Sequence, residues 1–146
     1  MISSKVSPEA VVSRPRVVAV VGASKNPEKE AFSVPLYLKE HGFTVVPVNP
    51  TAGEVHGEKA YPSLADLPPG VASRVEVVEV FRPSEELAEV ARQAVGLLGR
   101  TGKAAVFWAQ GGLESAEARR ILEEAGVPYV MDACMRTVHQ SLRPRG

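Results

Sequence analysis

The stretch "VVAVVGASKN", Val17 to Asn26, decides the fold reading. An apolar run climbs to a single glycine and then breaks into small and polar residues. Near-continuous apolar runs of this length suit strands covered on both faces. A glycine at the carboxyl end of such a run suits the first turn of a nucleotide-binding sheet.

Outward from Val17, four further apolar segments recur at similar intervals: Thr44–Val48, Val75–Phe81, Ala104–Trp108 and Pro128–Met131. Valine dominates most of them, and none alternates cleanly with polar residues. Helical patterns lie between. "FSVPLYLKEHG" stops at Gly42. "RPSEELAEVARQAVGLLG" offers Ser84 as a cap, carboxylates in the first turn, and a helical period through Leu87, Val90, Ala91, Ala94 and Leu98. "ESAEARRILEEAG" repeats the plan and stops at Gly126. "SPEAVVSR" has Ser7 as cap and Pro8 at the first helical position. The Gly- and Pro-rich segment 50–71 reads as a loop with one short helix near Leu64–Leu67.

Strand and helix in alternation predict an α/β, Rossmann-like fold: a doubly wound, mostly parallel five-stranded sheet with helices on both faces. The expected strand order is 3-2-1-4-5. One domain over 1–146 is expected, with 1–14 as an extension carrying a short helix and 141–146 as a loose tail.

Composition narrows the function. Lys plus Arg and Asp plus Glu are both 17, so the formal net charge of zero supports neither nucleic-acid nor membrane-surface binding driven by bulk charge. The single Cys134 excludes an internal disulfide and a Cys-rich metal site, and fits a reducing cytoplasm. The leading "MISSKVSPEAVVSR" lacks the apolar segment of a signal peptide. Only two asparagines, Asn26 and Asn49, occur beside abundant Ala, Glu, Arg and Pro, as in thermophile proteins or GC-rich genomes.

In an open α/β sheet, ligands sit beyond the carboxyl ends of the strands, where strand order reverses. The expected order brings the first-strand turn, Gly22, Ala23, Ser24 and Lys25, opposite the fourth-strand turn with Trp108, Gln110 and Gly111. The second strand ends in Val48, Asn49 and Pro50, the third in Phe81, Arg82 and Pro83. A nicotinamide dinucleotide calls for three glycines and an acid at the end of the second strand; here Gly22 stands alone and Asn49 holds the acidic place. The turn still suits an anion. Gly22 permits close approach, Ser24 and nearby amides donate, Lys25 and Lys29 supply charge, and Ser33 is placed to cap the next helix. No catalytic constellation stands out around Cys134 and His139, and His56 with Glu54 and Glu58 matches no strong metal pattern.

Together, "VVGASKNPEKEAFSV", "LKEHGFTVVPVNP", "GEKAYPSLADLP", "VEVFRPSEELAEV" and "AVFWAQGGLESAEARRILEEAGVPYVMDAC" resemble the small CoA-binding proteins of the YccU type over residues 15–140. They are also similar to the CoA-binding domain of the succinyl-CoA synthetase alpha subunit. The resemblance implies coenzyme A or an acyl-CoA as ligand, with phosphates near Gly22–Lys25. It also implies that residues 48–50 and 81–83 line the adenosine or pantetheine path, with Trp108, Gln110 and Gly111 in a site turn. The family's Asp-Arg-Cys is Asp132-Ala133-Cys134 here. The synthetase's histidine domain has no counterpart in this sequence, so ligase activity is not implied. The expectation is therefore non-catalytic CoA binding. An enzyme or subunit acting on a CoA thioester with a missing partner, and an NAD(H)-responsive regulator, are the alternatives. A protein partner or homo-oligomer is left open.

Overall fold

In the computed structural model, which describes residues 2–142, the chain begins with β1 (Ile2–Ser3), α1 (Pro8–Val12), β2 (Val17–Val21), α2 (Glu30–Glu40) and β3 (Thr44–Val48). A small hairpin follows, β4 (Glu54–Val55) and β5 (Glu58–Lys59), then a 3₁₀ turn at Leu64–Asp66 and α3 (Pro69–Ala72). The rest is β6 (Val77–Val80), α4 (Leu87–Thr101), β7 (Val106–Ala109), α5 (Ala116–Ala125), β8 (Tyr129–Met131) and α6 (Met135–Leu142).

The fold class is the expected one. Strands β2, β3, β6, β7 and β8 pair in parallel, and β1 adds an antiparallel edge on β8. The order across the sheet is β1-β8-β7-β6-β2-β3. The lateral order 3-2-1-4-5 is therefore corrected to 2-1-3-4-5 for the five parallel strands: the third lies beside the first, between it and the fourth.

Two features explain the arrangement. Pro47 has no N–H to give a neighbour, so its strand belongs at an edge. On the outer side of β3, Tyr61 alone among the described residues pairs with it, donating its amide to the Pro47 carbonyl at 3.0 Å. Conversely, all of Val77–Val80 is buried, as a central strand requires.

Apolar side chains fill both faces. Val78, Val80 and Phe107 pack on one side with Leu87, Ala91 and Leu97 of α4 and Leu122 of α5. Val18, Val20 and Trp108 pack on the other with Val11, Val34, Leu38 and Val138 from α1, α2 and α6. At the amino end, Glu76 ties β6 to β2 by accepting the Val17 amide at 2.9 Å and a bond from Arg14 at 3.1 Å.

Helix ends are partly as expected. Ser7 and Ser115 cap α1 and α5 through their side chains, and Gly126 ends α5 in the left-handed region. Ser33 is not a cap: α2 starts earlier, with Lys29 at the cap position. Ser84 does not cap α4 either. A 3₁₀ turn at Ser84–Glu86 precedes that helix, and the Ser84 hydroxyl accepts the Glu114 amide at 3.2 Å. The expected loose tail is also corrected: residues 141 and 142 belong to α6, and 143–146 lie outside the described residues.

Candidate functional site: a cleft at the carboxyl ends of three strands

Strand β2 leads through α2 to β3 on one side, and the chain then returns to place β6 on the other. The reversal point is thus between β2 and β6, and a cleft opens there. Its cavity of about 600 Å³ is lined by Val21–Ser24, Lys29 and Ala31, by Val48–Thr51, by Pro62 and Ser63, and by Phe81, Arg82 and four residues of the α4 side.

Gly22 shapes the floor. Its φ is +89°, and a Cβ there would stand 2.9 Å from the Phe81 carbonyl oxygen and 3.0 Å from Arg82 Cδ. Only glycine permits that approach of the first turn to the third-strand end. The Gly22 amide donates to the Val48 carbonyl at 2.9 Å, tying in the second-strand end.

Asn49 locks two turns together. Its Nδ2 donates to the Ala23 carbonyl at 2.7 Å, while Oδ1 accepts from the Thr51 amide at 2.8 Å and the Ala52 amide at 3.1 Å. The polar side chain at the place of the dinucleotide acid thus holds backbone in position. Ser24 Oγ similarly accepts the Asn26 amide at 3.0 Å, and Asn26 Oδ1 accepts the Glu28 amide at 3.0 Å, which shapes the entry into α2.

The charges are set on the rim. Arg82 bonds to Glu86 through Nε and Nη2, at 3.0–3.1 Å, with both side chains about half exposed. Glu86 and Glu89 give the α4 wall negative charge, and Lys29 faces it from the α2 side. The cleft is therefore polarised, with a cation and a helix amino end on one wall and acids on the other.

Of the residues the sequence singled out, Gly22, Ala23, Ser24, Lys29, Val48, Asn49, Pro50, Phe81 and Arg82 meet at this cleft. Lys25, Ser33 and Pro83 lie outside its lining. So does the fourth-strand turn, because β6 intervenes. Trp108 is fully buried and donates Nε1–H to the Ala133 carbonyl at 2.7 Å; Gln110 is 2% exposed and accepts the Met135 amide at 3.0 Å. Gly111 is exposed outside the cleft. The expected facing of the first and fourth turns is not formed.

The sequence reading missed Thr51, Ser63, Glu86, Glu89 and Gln93 on the walls. Glu86 and Glu89, with Gln93, share the start of one amphipathic helix, a pattern indistinguishable from an ordinary solvated face. Among the described residues no group of acids, histidines and cysteine is placed to hold a metal ion, and no helix is long and apolar enough to cross a membrane.

A family model described as a CoA binding domain matches residues 16–140, which includes every strand and turn of the cleft. The chain belongs to the CoA-binding domain family. Within it, this CoA-binding domain chain is 35% identical over 136 residues to the uncharacterized protein YneT of Bacillus subtilis, covering 93% of one chain and 94% of the other. It is 34% identical over 113 residues to the ADP-forming acetate–CoA ligase II of Archaeoglobus fulgidus, 76% of this chain but 16% of the ligase. A ligase subunit alpha from Pyrococcus furiosus is 32% identical over 83% of this chain and 27% of that one. The chain thus spans a minor part of the ligases it matches.

Solved structures agree. A Thermus thermophilus protein superposes with a TM-score of 0.78 at 39% identity, over 92% of this chain and 95% of that one. A hypothetical protein from Pyrococcus horikoshii gives 0.81 at 36% identity, over 94% and 93%.

Proposed function

We propose that this chain binds coenzyme A or an acyl-CoA in the β2–β6 cleft, as a binding module without catalysis of its own. The cleft itself carries the reading: a glycine-floored turn, a helix amino end and Lys29 converge on one wall of a cavity large enough for part of a nucleotide. The phosphates lie against Gly22–Ser24 and the start of α2. Arg82 turns from Glu86 toward them, an exchange that is easy because an exposed ion pair is worth about 0.2–1 kcal/mol. Asn49 acts through the turns it fixes. The place of a ribose-binding acid is taken by this amide, which disfavours NAD.

Calorimetric titration with CoA, acetyl-CoA, NAD and ATP tests the reading. Saturable CoA or acetyl-CoA binding, tighter than NAD, supports it; NAD binding more tightly, or no CoA binding, refutes it. The likeness to ADP-forming acetate–CoA ligases favours one second reading, a subunit that presents a CoA thioester to a catalytic partner. Turnover of acetyl-CoA by the purified chain, alone or with such a partner, would replace the non-catalytic reading.

A further inference from the structure

The charged side chains lining the β2–β6 cleft are Lys29 and Arg82, opposed by Glu86 and Glu89. The two cations are held differently. Lys29 is exposed and has no ion-pair partner among the described residues, whereas Arg82 is latched to Glu86. Glu86 Oε1 accepts from both Nε and Nη2 of Arg82 at 3.1 Å, and Oε2 accepts from Nη2 at 3.0 Å.

Their surroundings differ too. Lys29 holds the cap position of the eleven-residue α2 without a side-chain cap bond, and Ala31, in the first turn of that helix, lines the cleft. Uncapped first-turn amides beside an ammonium make a broad positive end, suited to charge spread along a diphosphate. Arg82 instead sends its stem across the Gly22 turn, where a Cβ would stand 3.0 Å from Arg82 Cδ. Its guanidinium is a planar fork already closed around the two oxygens of one terminal anion.

Coenzyme A carries its negative charge in two places on one ribose: a diphosphate on O5′ and a phosphate monoester on O3′. Two anionic groups on one sugar require two separate cations at the same end of a site, and the cleft lining supplies them. The monoester bears about −1.5 to −2 charges at pH 7 and three acceptor oxygens, more than the Glu86 carboxylate offers the same fork. Lys25 is the nearest rival in sequence, exposed in the same turn but outside the cleft lining.

We propose that Arg82 is the residue by which the cleft selects the ribose 3′-phosphate, leaving Glu86 to do so, while Lys29 and the start of α2 hold the diphosphate. Resting on the CoA reading of the cleft, this makes Arg82 the specificity-determining side chain between CoA and nucleotides without that group, NAD among them. Glu86 then acts as a stand-in anion that keeps the fork shaped when no ligand is bound.

Calorimetric titration with CoA and with 3′-dephospho-CoA tests the assignment, since the two probes differ in that one phosphate. The wild-type chain should prefer CoA by about three- to tenfold. Arg82→Ala should bring the two affinities within about twofold of each other. Lys29→Ala should weaken both ligands alike and keep the preference, and Lys25→Ala should keep it as well. Equal wild-type affinities, a preference that survives Arg82→Ala, or one that disappears with Lys25→Ala or Lys29→Ala overturns the role of Arg82 while CoA binding itself stands. A wild-type chain that binds neither probe overturns the CoA reading and this assignment together.

Discussion

A single carbon atom separates a working turn at Gly22 from a broken one. Its positive φ and the 2.9 Å approach of the Phe81 oxygen leave no room for a side chain. Gly22→Ala should destabilise the fold by about 1–3 kcal/mol, read by urea denaturation, and weaken CoA binding by displacing the third-strand end. Arg82 and Glu86 make opposed predictions at the same rim. Arg82→Ala should weaken CoA affinity roughly three- to tenfold, whereas Glu86→Gln should tighten it by up to about fivefold, because it frees the guanidinium and removes an acid. Both effects should shrink as salt is raised, and calorimetry at two ionic strengths checks them. Glu79 gives a pH-dependent prediction. Its folded pKa is raised, so its ionisation favours the unfolded chain as pH climbs above about 4.5, and the loss grows until the folded carboxyl itself titrates. The stability of Glu79→Leu relative to wild type should therefore increase with pH over that window; a flat difference would mean that the buried carboxyl is not protonated.

At the scale of elements, valine-rich runs and helix stops made the strands legible. Val17–Val21 and Thr44–Val48 occur with the bounds the sequence suggests, because nothing but a doubly covered strand accommodates such runs. Lateral order was harder, since hydrophobic periodicity describes each strand's faces and not its neighbours. The clue was present in Pro47, whose missing donor calls for an edge strand. Misplacing the third strand carried Trp108 and Gln110 into the cleft on paper. In the fold they anchor the β8–α6 turn, and a large apolar or amide side chain looks alike in both roles. Helix α6 was not foreseen because "CMRTVHQSL" has no stop and ends near the chain terminus. Glu79, a charge inside the apolar "VEVVEVF", was the visible signal that passed unused.

For the whole molecule, the cleft joins three strand ends and the start of two helices, so a ligand there braces elements already tied by Asn49 and by the Arg82–Glu86 pair. Ligand present at a hundred times its Kd should add about 2.7 kcal/mol and raise the melting temperature by about 5–10 °C, with CoA more effective than NAD. Such a gain says that something binds, not where. Amide chemical-shift mapping by NMR during titration with CoA tests the location most directly. The largest changes should fall on residues 22–24, 29–31, 49–51 and 81–82. Changes centred instead on residues 108–112, with the Gly22 turn unmoved, would contradict the placement of the ligand between β2 and β6.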